Sequence, residues 1–176
     1  EGKDAAMNKG LLVLTGGPGT GKTTTLNAII QLLEIYGHKV AIAAPTGRAT
    51  KRITEITGHE AKTIHRLLEV EWGENDTQSF ARNDKNQLDC DALIVDELSY
   101  VKMDKERESL FFQVIRQRYE KNPLIVTTNL PMGRWDELFT GRLAATAILD
   151  RVGHHCHVLS ITGDSYRVKG SKQSVR

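Results

Sequence analysis

The stretch Leu11-Leu12-Val13-Leu14-Thr15-Gly16-Gly17-Pro18-Gly19-Thr20-Gly21-Lys22-Thr23-Thr24 decides the fold of this chain. It opens with four apolar residues without alternation, which is typical of a strand buried on both faces of a sheet. The glycines that follow allow the backbone to turn its N–H groups inward around an anion. Residues 16–23 have the spacing G-x-x-x-x-G-K-[ST] of a phosphate-binding loop. Beyond the loop, the apolar spacing of an amphipathic helix continues at Leu26, Ile29, Ile30 and Leu33.

The end of this loop has the chemistry to bind a nucleotide with magnesium. The N-terminus of the following helix adds a partial positive charge, Lys22 is expected to reach the β- and γ-phosphates, and the Thr23 hydroxyl is expected to hold Mg²⁺. The residues expected to contact the nucleotide are Gly16, Gly17, Pro18, Gly19, Thr20, Gly21, Lys22, Thr23 and Thr24. A glycine-rich turn with a chance lysine is the alternative, and the strand and helix on either side argue against it.

Further apolar runs along the chain indicate four more strands, at residues 40–44, 92–95, 124–126 and 157–161. Helical spacing recurs between them, for example at Phe111, Ile115 and Tyr119. Strands that alternate with helices predict an α/β fold of three layers, with a mainly parallel five-stranded sheet covered on both faces. Residues 72–87 are polar and aperiodic, so we predict a long surface loop or a weak hairpin insertion there.

Two acidic residues follow the apolar run at 92–95. Asp96 and Glu97 would lie at the carboxyl end of a buried strand, where open α/β sheets place their ligand chemistry. We expect Asp96 to order the magnesium through water and Glu97 to polarise the water that attacks the γ-phosphate. The alternative is an acidic pair that only ends a strand.

Asn129 follows the strand predicted at 124–126, after two threonines. Its amide could hydrogen-bond the attacking water or the γ-phosphate, and we expect it to belong to the catalytic site. Asparagine is also a common turn residue, which is the alternative.

Composition sets the class of protein. The chain has 176 residues, a length that predicts a single core, which we place at residues 1–170. Its net charge is +2, and we predict a flexible basic tail at residues 171–176. The tail could touch nucleic acid or simply be solvated. The two cysteines exclude a disulfide-dense scaffold. No apolar run approaches the ~18 residues of a membrane span and no signal peptide stands out, so we expect a cytoplasmic protein with no membrane partner.

The motifs resemble two families. The first half resembles the N-terminal motor domain of RecD-like superfamily 1 DNA helicases over residues ~10–70, in the segments LTGGPGTGKTT (14–24), APTGRA (44–49) and AKTIHRLL (61–68). The second half resembles IstB/DnaC-like AAA+ ATPases over residues ~91–170, in DELSY (96–100), LFFQVI (110–115), RYE (118–120), TTNLP (127–131), LDRVGHHC (149–156) and GDSYR (163–167). A chain that joins both halves suggests a recombined or designed chimera. Both families share a P-loop NTPase core, which implies the order 5-1-4-3-2 for the five predicted strands.

The resemblance also implies roles for residues outside the loop. Thr46 and Arg48 match the RecD-like segment that touches single-stranded DNA, although Thr46 could equally be a helix N-cap. Arg151 matches the position at which IstB/DnaC-like proteins offer an arginine finger to a neighbouring subunit, with Arg142 as a second candidate; a surface arginine is the alternative. For the histidines around Cys156 we expect structural roles, because neighbouring residues on a strand point to opposite faces.

The resemblance and the motifs together predict a Mg²⁺-dependent ATPase that binds ATP and ADP, of helicase, helicase-loader or transposition-helper ancestry. Weak binding of single-stranded DNA and self-association through Arg151 are the expected partnerships. A second motor domain has no room in 176 residues, so complete helicase activity is not expected of this chain alone. The alternative is a recombined or designed scaffold that binds nucleotide with little turnover.

Overall fold

The apolar runs pair into one parallel sheet. In the computed structural model, which describes residues 10–98, 103–154 and 156–163, the strands of this sheet are β1 (Leu11–Thr15), β2 (Val40–Ala44), β3 (Ala61–Thr63), β6 (Ala92–Val95), β7 (Leu124–Thr128) and β8 (Cys156–Ser160). Their spatial order is β3-β2-β6-β7-β1-β8, and every neighbouring pair is parallel. The five predicted strands therefore have the expected order.

Helices connect the strands on both faces of the sheet. They are α1 (Lys22–Ile35), α2 (Gly47–Thr57), the single turn α3 (Ile64–Leu67), α4 (Lys105–Arg118) and α5 (Arg142–His154). Two 3₁₀ segments span Glu74–Asp76 and Met132–Leu138. Parallel strands need such crossover connections, which is why the helices alternate with the strands along the chain.

Alternate residues of the central strands belong to two separate apolar clusters, one on each face of the sheet. Leu11 and Val13 of β1 pack on one face, whose cluster also takes Trp135 and the buried stripes of α4 and α5. Leu12 and Leu14 point to the other face, whose cluster contains the four apolar positions of α1 predicted from their spacing. The predicted three-layer α/β arrangement is confirmed.

Two details of the sheet differ from the prediction. The sheet has six strands rather than five in the described part of the chain, because β3 adds an edge beside β2. Its three residues, Ala-Lys-Thr, are only partly buried or exposed and carry no apolar run. The last strand begins one residue earlier than predicted, and it is an edge strand with Val158 half exposed rather than a strand buried on both faces.

The polar stretch predicted as a loop or weak hairpin contains a hairpin. Strands β4 (Val70–Trp72) and β5 (Gln78–Phe80) pair antiparallel as a separate two-stranded sheet. The hairpin starts two residues before the predicted insertion. Gln117 of α4 donates a 2.7 Å hydrogen bond to the Arg82 carbonyl, which ties the insertion to the outer layer.

Candidate nucleotide-binding site

The strand register brings the predicted site residues to one edge of the sheet. Thr15, the last residue of β1, pairs with Thr128, the last residue of β7. Val95 at the end of β6 pairs with Val126. The glycine-rich loop, the acidic pair and Asn129 therefore all leave the carboxyl ends of three adjacent strands, as the sequence predicts.

The loop after β1 folds back around the side chain of Lys22. The Lys22 Nζ donates hydrogen bonds of 2.6 and 2.7 Å to the carbonyls of Gly16 and Gly17, so its ammonium lies inside the loop. Gly21 has a φ of 100° where the chain enters α1, a conformation that favours glycine. A Cβ on Gly16 would lie 2.5 Å from the Ile161 carbonyl oxygen, which leaves no room for a side chain.

An open cleft of about 630 Å³ borders this loop. This volume is within the range of about 300–1,000 Å³ typical of small-molecule sites. The lining residues are the loop and first helical turn, residues 19–25, together with Arg52 and Ile56 of α2. Thr23 and Thr24 are therefore on the cleft wall, where the sequence predicts nucleotide contacts.

Asp96 is a buried carboxylate at the floor of the site, only 7% exposed. Its backbone N–H donates to the Ala43 carbonyl at 2.9 Å, and its Oδ1 accepts a hydrogen bond from the Thr127 hydroxyl. Burial raises the pKa of Asp96, while the Thr127 hydrogen bond and the positive charges of Arg52 and Lys22 oppose that rise. The carboxylate is therefore short of compensating charge, as a cation-binding group is before its cation arrives.

Glu97 is in the left-handed region of backbone space, with a φ of 56°. Its N–H donates to the Thr127 Oγ1 at 2.9 Å, so the same hydroxyl that donates to Asp96 accepts from Glu97. The Glu97 carboxylate accepts a hydrogen bond from the guanidinium of Arg52 on α2. A positive φ in a residue other than glycine or asparagine is uncommon and marks a backbone held by its surroundings.

Asn129 is exposed at the end of β7, beside the loop. The turn that carries it is fixed through the carbonyl of the next residue, Leu130, which accepts from Trp135 Nε1 at 3.3 Å and from Thr15 Oγ1 at 3.4 Å. The Thr128 hydroxyl also accepts from the Leu130 N–H at 3.0 Å. The turn is thus built from buried groups, and its exposed amide is presented at the same edge as Lys22.

The residues predicted to contact DNA lie at the start of α2. Thr46 is the N-cap of this helix, and its hydroxyl accepts a hydrogen bond of 3.2 Å from the Ala49 N–H. The N-cap interpretation is confirmed. Arg48 is exposed in the first turn. A DNA contact by either residue stays a prediction.

The candidate arginine finger, Arg151, is on α5, which packs on the face of the sheet opposite to α1. Arg151 is exposed on α5, and its Cζ lies 5.9 Å from the centroid of the Phe112 ring of α4. Arg142 begins α5, and its side chain lies outside the described residues, as does the basic tail at 171–176. Residue 154 ends α5 rather than lying on a strand, which corrects the prediction for that histidine.

The donor set at the loop suits magnesium. Mg²⁺ takes oxygen ligands and is commonly held by one or two carboxylates, waters and substrate phosphates. The buried Asp96 carboxylate and the Thr23 hydroxyl on the cleft wall fit this pattern. In the described ranges, no group of three or more His, Cys, Asp or Glu side chains forms a metal cluster.

Two residues at the site were not assigned from the sequence. Thr127 joins the acidic pair to β7, and Arg52 pairs with Glu97. Arg52 follows the buried Ala49 by three residues and precedes the buried Ile53, so it flanks the sheet-facing stripe of α2. Helical periodicity places Arg52 beside this stripe, but its contact with Glu97 depends on which strands become neighbours, which no spacing pattern gives.

Comparison with known proteins identifies the family. The sequence model of the family described as "IstB-like ATP binding protein" matches residues 4–174. The chain belongs to the IstB-like ATP-binding proteins. An insertion sequence IS21 putative ATP-binding protein of Pseudomonas aeruginosa is 36% identical over 163 residues, which is 93% of this chain and 54% of that protein. This IstB-like chain thus spans about half the length of that relative.

RecD-like DNA helicases are also among the relatives of this chain. The ATP-dependent RecD2 DNA helicase of Deinococcus radiodurans is 48% identical over 89 residues, which is 51% of the IstB-like chain and 12% of the helicase. Both resemblances stated from the motifs are therefore confirmed, and a chimeric origin stays a prediction. The IstB-like family match covers both segments that carry the resemblances.

Solved structures confirm the fold. The crystal structure of DnaI covers 94% of the IstB-like chain and 75% of its own, with a TM-score of 0.58 at 19% sequence identity. This likeness shows a shared α/β P-loop architecture. Among the described residues, no helix has the length and apolarity needed to cross a bilayer.

Proposed function

We propose that this IstB-like ATP-binding chain is a Mg²⁺-dependent ATPase that serves a DNA-processing system, of the helicase, helicase-loading or transposition-helper kind. The observation that carries the proposal is the Thr127 hydroxyl, which links Asp96 and Glu97 beside the glycine-rich loop. This bridge holds the Asp96 carboxylate inward, as a cation ligand requires, while the carboxylate of the next residue bonds to Arg52 of the cleft wall. A phosphate-binding loop alone would need no such pair.

Each residue has a role in hydrolysis. The loop N–H groups and Lys22 bind the phosphates, with Lys22 exchanging the Gly16 and Gly17 carbonyls for phosphate oxygens. Thr23 and Asp96 would hold Mg²⁺, Asp96 through water. When bound, the ion supplies charge that offsets the growing negative charge on the phosphates. The product at this site is ADP, which the same loop binds.

Glu97 and Asn129 act on the water. Glu97 accepts a proton from the water whose oxygen bonds to the γ-phosphorus, while the bond from that phosphorus to the bridging oxygen of ADP breaks. Asn129 orients this water or a γ-phosphate oxygen from the end of β7. Asn129 follows β7, which is paired with β1, and Glu97 follows β6, which is paired with β7. Both residues are therefore at the same edge of the sheet as the loop.

Nucleic acid and a second copy of the chain are the proposed partners. The names of two relatives refer to an insertion sequence and to a DNA helicase. We propose that Thr46 and Arg48 give weak contact with single-stranded DNA, and that Arg151 reaches the nucleotide of a neighbouring subunit. We also place residues 1–170 in one ATPase core with 171–176 as its basic tail.

Nucleotide binding and turnover are tested by two variants, Lys22→Ala and Glu97→Gln, with Lys51→Ala as the control. Mg-ADP should raise the melting temperature of the wild type, because a ligand of the native state stabilises it by mass action. Lys22→Ala should lose most of this rise, while Lys51→Ala, which removes an exposed cation of α2, should keep it. Glu97→Gln should keep the Mg-ADP shift but lower phosphate release from ATP about tenfold or more.

Three results would count against the proposal. Equal Mg-ADP shifts in the wild type and Lys22→Ala would contradict the loop assignment. Unchanged phosphate release in Glu97→Gln would contradict its role as the base. A wild type that binds Mg-ADP but releases no phosphate, with or without single-stranded DNA, would support the nucleotide-binding scaffold instead.

A further inference from the structure

Arg52 is a cation inside the nucleotide cleft to which the motifs give no role. It projects from the second turn of α2 and lines the cleft together with Lys22 and the first turn of α1. Its guanidinium donates to Oε1 of Glu97, with the two side chains 39% and 20% exposed. Arg52 and Lys22 both lower the pKa of Asp96, which means that both positive charges are near the same carboxylate.

The ion pair occupies the group that hydrolysis needs. The bond to the guanidinium engages Oε1 of Glu97 and holds the carboxylate against α2, so the carboxylate is not free to turn toward an attacking water. The Lys22 ammonium likewise donates to protein oxygens, the carbonyls of Gly16 and Gly17. In this arrangement, both cations of the cleft bind oxygen atoms of the protein itself.

We propose that Arg52 is a ligand of the γ-phosphate that leaves Glu97 when ATP enters the cleft. A guanidinium presents parallel N–H donors that match the oxygens of a phosphate, and a terminal phosphate has more negative charge than one carboxylate. The exchange frees Glu97 at the moment when a γ-phosphate is present to be attacked. ADP lacks that group, so ADP leaves the Arg52–Glu97 pair in place.

A purely structural role for the pair explains the position of α2 less well. This helix is already attached by the buried Ala49 and Ile53 and is capped by Thr46. The pair is also partly open to solvent, where ion pairs contribute little to stability. Binding of the γ-phosphate by Arg52 explains why this ion pair is in the cleft and not elsewhere along α2.

The inference rests on the proposed ATPase function and is tested by nucleotide selectivity. Dissociation constants for Mg-ADP and for the non-hydrolysable Mg-adenosine 5′-(β,γ-imido)triphosphate are measured by calorimetry. Arg52→Gln should weaken the triphosphate about tenfold or more, the loss expected for a charge-assisted hydrogen bond, and leave Mg-ADP unchanged. The matched control Lys51→Gln, which removes the neighbouring exposed cation of α2, should change neither constant.

A double-variant cycle separates a phosphate contact from an effect through Glu97. Where Arg52 binds the γ-phosphate, Arg52→Gln should cost at least as much triphosphate affinity in a Glu97→Gln background, because there Arg52 has no carboxylate to leave. Where Arg52 only offsets the charge of Glu97, the effect disappears in that background, and the inference is wrong. Arg52→Lys, which keeps the charge but not the fork, should lose part of the selectivity.

The outcomes are distinguishable from failure of the proposed function. Unchanged Mg-ADP affinity in Arg52→Gln also shows that the variant is folded. If Mg-ADP binding depends on Lys22 and yet Arg52→Gln keeps the ratio of the two dissociation constants, the loop assignment stands and the role of Arg52 is overturned. If Mg-ADP binding does not depend on Lys22, the proposed site itself is wrong.

Discussion

At the scale of single residues, Asp96 shows a conflict between stability and function. Its carboxylate is 7% exposed and accepts from the Thr127 hydroxyl, and burial raises its pKa. A raised pKa means that the folded state disfavours the charged form, so at neutral pH the charge of Asp96 destabilises the nucleotide-free protein. We infer that the same charge holds a cation when nucleotide binds, which offsets this cost.

Asp96→Asn should therefore raise the melting temperature of the nucleotide-free protein at pH 7, since the amide removes the buried charge and its oxygen still accepts from Thr127. The same variant should weaken Mg²⁺-dependent binding of ADP by about 10–100-fold, the usual cost of losing a residue that orients a metal ion. Thermal denaturation with EDTA and with Mg-ADP measures both effects. Asp136→Asn, at an exposed position, is the control; a lower melting temperature for Asp96→Asn without nucleotide would contradict the argument.

The residues of this site were predictable from the sequence where the contacts are local. Lys22 bonds to carbonyls five and six residues away, and the loop spacing alone identifies it. Arg52 and Glu97 are 45 residues apart, and Thr127 and Asp96 are 31 apart, so their contacts depend on which strands become neighbours. Without the register, no spacing pattern in the chain assigns Thr127 or Arg52 to this site.

At the scale of elements, long apolar runs were predictable and short polar strands were not. β1, β6 and β7 are buried along their whole length, and each contains the predicted run. β3 has three residues and pairs through its backbone with the edge of β2, which requires no apolar side chains. The start of β8 depends on where α5 ends, and the sequence has no proline between residues 150 and 160 to mark that boundary.

The start of α2 is the element where a DNA contact is testable. Thr46 is already used as the N-cap, so the exposed Arg48 is the group left to touch a phosphate. We expect weak binding of single-stranded DNA that is independent of sequence and decreases as salt rises. Arg48→Ala should reduce the slope of log affinity against log salt by about 0.7, the release expected for one phosphate contact on a single strand.

Fluorescence anisotropy over a series of salt concentrations measures this slope. Arg134→Ala is the control, because Arg134 is exposed on another layer and paired with Glu137. Binding that stays constant at high salt would contradict a phosphate contact. An unchanged slope in Arg48→Ala would show that another part of the chain makes the phosphate contact.

At the scale of the whole molecule, the segments in which the sequence resembles the two families form one sheet. β2 lies in the segment that resembles RecD-like helicases and β6 in the segment that resembles IstB/DnaC-like ATPases, and the two strands pair over four residues. Both apolar clusters also combine residues from the two segments, such as Leu26 with Ile125 and Val13 with Phe111. The shared P-loop topology explains why the expected strand order is correct across the whole chain.

The whole-molecule prediction concerns self-association through Arg151. Arg52 and Lys22 supply cations within one chain, and a finger from a neighbouring subunit would add a further positive charge against the transferred phosphate. Arg151 is exposed on α5, where a second copy could receive it. We expect an isolated chain to bind nucleotide and hydrolyse it slowly, because a missing arginine finger costs about 10³–10⁵ in rate in related phosphoryl-transfer systems.

Phosphate release per chain should therefore rise with protein concentration. Arg151→Ala should remove that rise without weakening Mg-ADP binding, since the residue contacts Phe112 on the surface of its own chain and lies outside the cleft lining. Arg134→Ala, which removes an exposed arginine from a neighbouring segment, should leave the rise intact. Steady-state phosphate release over a hundredfold range of protein concentration, with sedimentation at the same concentrations, measures both quantities. High activity per chain at every concentration, unchanged in Arg151→Ala, would mean that no finger is exchanged between subunits and that the cations of a single cleft are sufficient.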